Sequence, residues 1–101
     1  LQAAQRFMLE LAAAFPIADG LARRALNQAA RELMLAQASD WPFIIHTGTS
    51  PEYATRRFKD HMLRFLKLHA QLTTGTLDEA EVTRMESIDP IFPHVDYRNW
   101  Q

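Results

Sequence analysis

Asp40, Trp41 and Pro42 are the side chains in this sequence best placed to grip a ligand. They follow a run of good helix formers, Leu33, Met34 and Leu35, and the polar Ser39. Ser39 and Asp40 favour caps and turns, because their short side chains compete for backbone hydrogen bonds. Pro42 pushes Trp41 out of the helical region toward an extended conformation. A large aromatic is thereby set at a helix exit between a carboxylate and a proline. Either it walls a groove or it plugs the end of a helical bundle. Phe43 and Tyr53 flank the same break, with Asp40 and His46 as polar handles. Apolar walls with a few polar groups are how pockets hold ligands, and a flat indole suits the C–H face of a sugar.

Other chemistries find less support. The histidines are His46, His61, His69 and His94, and neither a Glu-x-x-His nor a His-Glu-x-x-His pattern includes any of them. No metal site is expected on that spacing. His61 falls on an apolar helical seam, where a hydrogen-bonded structural histidine is the commoner outcome. Ser39, Ser50 and Ser87 are not in a Gly-x-Ser-x-Gly elbow, and Gly20, Gly48 and Gly75 are too far apart for a phosphate loop. Paired carboxylates could do general acid/base work on a sugar, but the separation they need is a spatial matter. No cofactor is expected.

The elements that must position the break are helical. Leu1, Ala4, Met8, Leu11 and Phe15 recur in steps of three and four, predicting a helix over 1–15 that Pro16 stops. Asp19 is a candidate N-cap for a second helix over 20–38, with Ala22, Ala25, Leu26, Ala29, Leu33 and Ala36 as its apolar stripe. Met34 and Leu35 widen that stripe, which suits either burial on two sides or a broader core. Phe43 to Ile45 form a single extended segment or a turn of helix. Ser50-Pro51-Glu52 opens a third helix, to Leu72, whose seam is Ala54, Phe58, His61, Phe65, Leu68 and Leu72. A shorter helix over 77–87 follows, capped by Thr76 or Asp78. The tail from Ile88 reads as an extended strap. The fold class expected is all-α: a small bundle of three main helices, a shorter fourth and the strap, in one domain spanning 1–101.

Composition bounds the partners. The 101 residues include eleven basic and twelve acidic side chains, a net charge of -1. No basic surplus exists to displace counterions from nucleic acid, and no polybasic segment to seek a membrane. Cysteine is absent, which fits a cytoplasmic setting. Leu1 opens directly into helical periodicity, so the chain is expected to be excised from a larger protein.

The run from Asn27 to Phe43, with Ala38-Ser39-Asp40-Trp41, carries a resemblance to a known family. So do Tyr53-Ala54, Arg57-Phe58, His61 and Arg64-Phe65, then Ile91-Phe92-Pro93 and Asp96-Tyr97-Arg98. Together they resemble the C-terminal helical domain of 1,4-α-glucan branching enzymes of glycoside hydrolase family 57. The family pattern has Ser-Ser-Asp-Trp; Ala38 replaces its first serine. The resemblance implies an N-terminal (β/α) barrel as partner, bearing the catalytic carboxylates that this chain lacks. It implies that the helices pack on that barrel and line an α-glucan cleft, with Trp41 and its neighbour Asp40 as the substrate-binding residues. Transfer would proceed with retention, through a covalent glycosyl intermediate. The alternative reading is a free-standing helical module that binds a protein through the apolar break.

Overall fold

A computed structural model describes residues 2–39, 51–89 and 95–100. Among these residues the chain is all-α: α1 (Gln2–Ala14), α2 (Gly20–Ser39), α3 (Pro51–Thr74), α4 (Glu79–Ile88) and a 3-10 turn, Tyr97–Trp100. Four helices in this order match the expected architecture, with boundaries shifted by one or two residues.

The boundaries have local causes. Phe15 still donates to the Leu11 carbonyl at 3.1 Å before Pro16, which has no N–H to continue the ladder. α3 runs two residues past Leu72 and closes where Gly75 takes φ +70°. The Thr76 N–H then reaches back to the Gln71 carbonyl at 2.9 Å, the six-to-one bond of a Schellman cap. Of the two candidate caps for α4, Asp78 serves: its carboxylate accepts from the Ala80 N–H at 3.0 Å, so the helix starts at Glu79.

α2 is the hub and touches α1, α3, α4 and the terminal turn. Ala25, Ala29, Ala30 and Ala36 on it are fully buried beside Leu26 and Leu33. Met8 and Leu11 of α1, Phe65 and Leu68 of α3, and Val82 and Met85 of α4 close around them. The apolar stripes expected for α1 and α2 are therefore the core faces. Phe7 stacks on His69 of α3 with ring centroids 4.8 Å apart, which ties α1 to α3. Leu66, next to the seam residue Phe65, is 40% exposed.

Ile88, expected to begin an extended strap, instead ends α4, and of the tail beyond it residues 95–100 are described: Tyr97–Trp100 wind into a 3-10 turn that touches α1 and α2. Asp96 starts the turn: its carboxylate accepts from the Arg98 N–H at 2.9 Å and its carbonyl from the Asn99 N–H at 3.0 Å. Tyr97 is wholly buried. Its hydroxyl donates to the Phe15 carbonyl at 2.7 Å, and its N–H donates to Asn27 Oδ1 at 2.9 Å.

Candidate functional site

Three helical elements deliver one ionisable side chain each to a single buried point. Glu32 comes from α2, His61 from α3, and Asp89 from the residue that ends α4. Glu32 is one turn from Ala29 and Ala36, so the core packing of α2 carries it inward. His61 lies on the same face as Phe65 and Leu68 and is carried inward with them. Glu32 is 0% and His61 2% exposed.

His61 Nδ1 stands 2.8 Å from Glu32 Oε1 and 3.5 Å from Asp89 Oδ2. Its Nε2 lies 3.4 Å from Arg57 Nη2. With Arg57 donating to Nε2, the ring hydrogen sits on Nδ1 and points at Glu32. Gln28 Nε2 donates to Glu32 Oε2 at 3.0 Å and reaches the carbonyls of Met85 and Asp89 at 3.2 and 3.3 Å. Arg31 donates to Gln28 Oε1 at 2.8 Å and so orients that amide. The Arg64 guanidinium lies 3.0 Å from Asp89 Oδ2 and 4.0 Å from Glu32 Oε1.

Burial pushes the Glu32 carboxyl up to about 8, and its hydrogen bond with Asp89 adds to the rise against the opposing pull of Gln28 and Arg64. Burial also holds the His61 imidazole below its ordinary value, more strongly than the Asp89 charge raises it. The cluster therefore favours a neutral acid beside a neutral imidazole, with Arg64 paired to Asp89. A histidine with two carboxylates is also a metal-type donor set. Here the Arg64 guanidinium already supplies the positive charge on the open side, so a divalent ion would meet like charge.

Outside this cluster, Asp60, Leu63, Arg64, Lys67, Arg84 and Met85 line a groove of about 250 Å³ between α3 and α4. Lys67 is paired with Glu81 at 2.6 Å on its rim.

Trp41 and Asp40, the substrate residues expected from the sequence, lie outside the described residues, as do Phe43 and His46. What the structure does describe is the frame around them: α2 ends at Ser39 and α3 begins at Pro51. Met34 and Leu35, the residues expected to widen the apolar face, are both half-buried. His61 is the buried, hydrogen-bonded histidine that its seam position implies. Its partners Glu32 and Asp89 had not been singled out, although Glu32 interrupts an otherwise apolar stripe.

Residues 1–100 match the family described as the C-terminal region of 1,4-alpha-glucan branching enzymes. The chain belongs to this family. The branching-enzyme C-terminal domain seen here is 36% identical, over 83 residues, to the 1,4-alpha-glucan branching enzyme of Thermococcus kodakarensis, covering 81% of this chain and 12% of that protein. It also superposes on the alpha-amylase AmyC of Thermotoga maritima with a TM-score of 0.90 and 42% identity, covering 98% of this chain and 19% of that one. The chain thus spans less than a fifth of either relative.

Proposed function

We propose that this domain is a non-catalytic part of a 1,4-α-glucan branching enzyme of family 57, seated on the catalytic barrel and lining its glucan cleft through Trp41 and Asp40. The observation that carries the reading is the family match over residues 1–100 in a chain that corresponds to 12% of a branching enzyme. The cluster chemistry is in keeping with it. Glu32 and Asp89, the two carboxylates of the cluster, are both buried among three helices, Glu32 completely. Retaining transfer to a 6-hydroxyl would then fall to carboxylates of the barrel. The domain's role is positional: an indole stacked on a glucosyl unit excludes water and favours transfer over hydrolysis. One relative is named a branching enzyme and the other an amylase, so the same helical fold accompanies both outcomes. A cytoplasmic setting is part of this reading.

The test is Trp41→Ala in the complete enzyme, assayed on amylose for branch formation and for released reducing ends. A fall in the branching-to-hydrolysis ratio supports the cleft role. An unchanged ratio and product pattern reject it.

A further inference from the structure

Among the described residues, the guanidinium of Arg64 is the one within 4.0 Å of the two carboxylates of the buried cluster. Arg64 is 3.0 Å from Asp89 and 4.0 Å from Glu32, so it neutralises Asp89 first. A second carboxylate charge with no exposure would cost several kcal/mol unless it were paired. His61 could pair with it only as an imidazolium, itself buried and facing Arg57 at 3.4 Å. The charged groups around the pair are Arg31 on α2, Arg57, Asp60 and Arg64 on α3, and Asp89 at the end of α4. Arg31 is turned to Gln28, and Asp60 and Asp89 both favour a proton on the ring. The arrangement least costly in charge keeps Glu32 neutral, accepting from Gln28 and His61 and sharing its own proton with Asp89.

We propose that Glu32 is the proton-holding member of a clasp joining α2, α3 and the end of α4, and that loss of this proton above neutral pH loosens the three. The upward displacement of the Glu32 carboxyl agrees with the geometry. α2 and α3 are the helices that bracket residues 40–50. In the parent enzyme the clasp would therefore set the spacing of the two ends that carry Trp41. That last consequence rests on the proposed glucan role; the clasp does not.

The test compares urea unfolding of the chain and of its Glu32→Gln variant between pH 6.5 and 8. The amide is uncharged at every pH and can donate where the acid's proton does. An acid whose value is raised by folding stabilises fully below its unfolded value of 4.5 and loses that contribution as pH climbs to about 8. Over the interval tested, the unfolding constant of the parent chain should rise about 15-fold relative to the Gln variant. Parallel profiles would overturn the proposal. Should the variant not fold, carbon-13 carboxyl NMR of the unaltered chain decides. A Glu32 resonance that titrates above pH 6.5 supports the clasp, and one with a midpoint near 4.5 overturns it. Neither measurement depends on enzymatic activity, so failure of the clasp is separable from failure of the glucan reading.

Discussion

The carboxyl of Glu32 and the Nδ1 of His61 meet at 2.8 Å across the α2–α3 interface, with both side chains all but sealed from solvent. Their separation in the chain is 29 residues, so the contact exists only once the two helices have packed. A buried polar pair of this kind is strongly coupled, because either partner alone is left unsatisfied. Glu32→Ala or His61→Ala should each destabilise the domain by about 2–4 kcal/mol, combining an orphaned polar group with an emptied site. The double variant should cost about 1–2 kcal/mol less than the sum of the two. Chemical denaturation of the four proteins measures this, and strict additivity would show that the contact carries no coupling.

Tyr97 fastens the tail to the corner between α1 and α2. Its hydroxyl donates to the Phe15 carbonyl, and the ring is fully enclosed. Tyr97→Phe removes the donor alone and should cost about 1–2 kcal/mol. Tyr97→Ala removes the ring as well and should cost about 3–5 kcal/mol. Thermal denaturation separates the two, and equal losses would mean that the hydrogen bond contributes everything and the ring nothing.

Gly75 closes α3 at φ +70°, with open space where a Cβ would stand. Gly75→Ala therefore meets no clash and pays only for the left-handed backbone. A loss of about 1 kcal/mol is expected, read as a drop in the urea midpoint at unchanged slope. A loss several times larger would indicate that the Schellman bond from Thr76 had been broken too.

Arg98 binds the Asp96 carboxylate through its side chain at 2.7 and 3.1 Å and through its backbone N–H at 2.9 Å. These bonds hold the carboxyl near 2, down from an ordinary 3.8, with Arg23 adding a smaller pull. A depressed acid contributes stability above its unfolded value and loses it as pH falls through the folded one. The turn should therefore keep its structure down to pH 4 and loosen between about 3.8 and 2. Carboxyl NMR should place the Asp96 midpoint near 2 in the unaltered chain and closer to 3.8 in Arg98→Gln.

Helix number and order, and most of the core, could be read from periodicity, because apolar spacing of three and four residues reports directly which face is buried. Pro16 and Pro51 placed two boundaries for a steric reason that needs no tertiary context. The α3 end was harder, since the glycine that closes it lies three residues beyond the last seam residue, Leu72. The 3-10 turn at Tyr97 depends on Asp96 bonding locally, a choice that an apolar pattern does not register. The cluster was half visible. His61 on a seam drew attention, and Glu32, seven residues after Ala25 and four before Ala36, stood on the core face of α2 by the same arithmetic. Asp89 left no such mark, because it follows the last turn of α4 and reaches the cluster only through the packing of three helices.

The innermost helix of the domain is lined with alanine, the smallest side chain that still counts as apolar. Its neighbours press against a nearly bare rod, and Ala25, Ala29, Ala30 and Ala36 retain no accessible surface. An added pair of methyls at any of these positions would have to wedge whole helices apart, at about 1–3 kcal/mol each. The residue type most often regarded as interchangeable is here the one with the least latitude, and mutational tolerance should rise outward from α2 instead of falling with side-chain size.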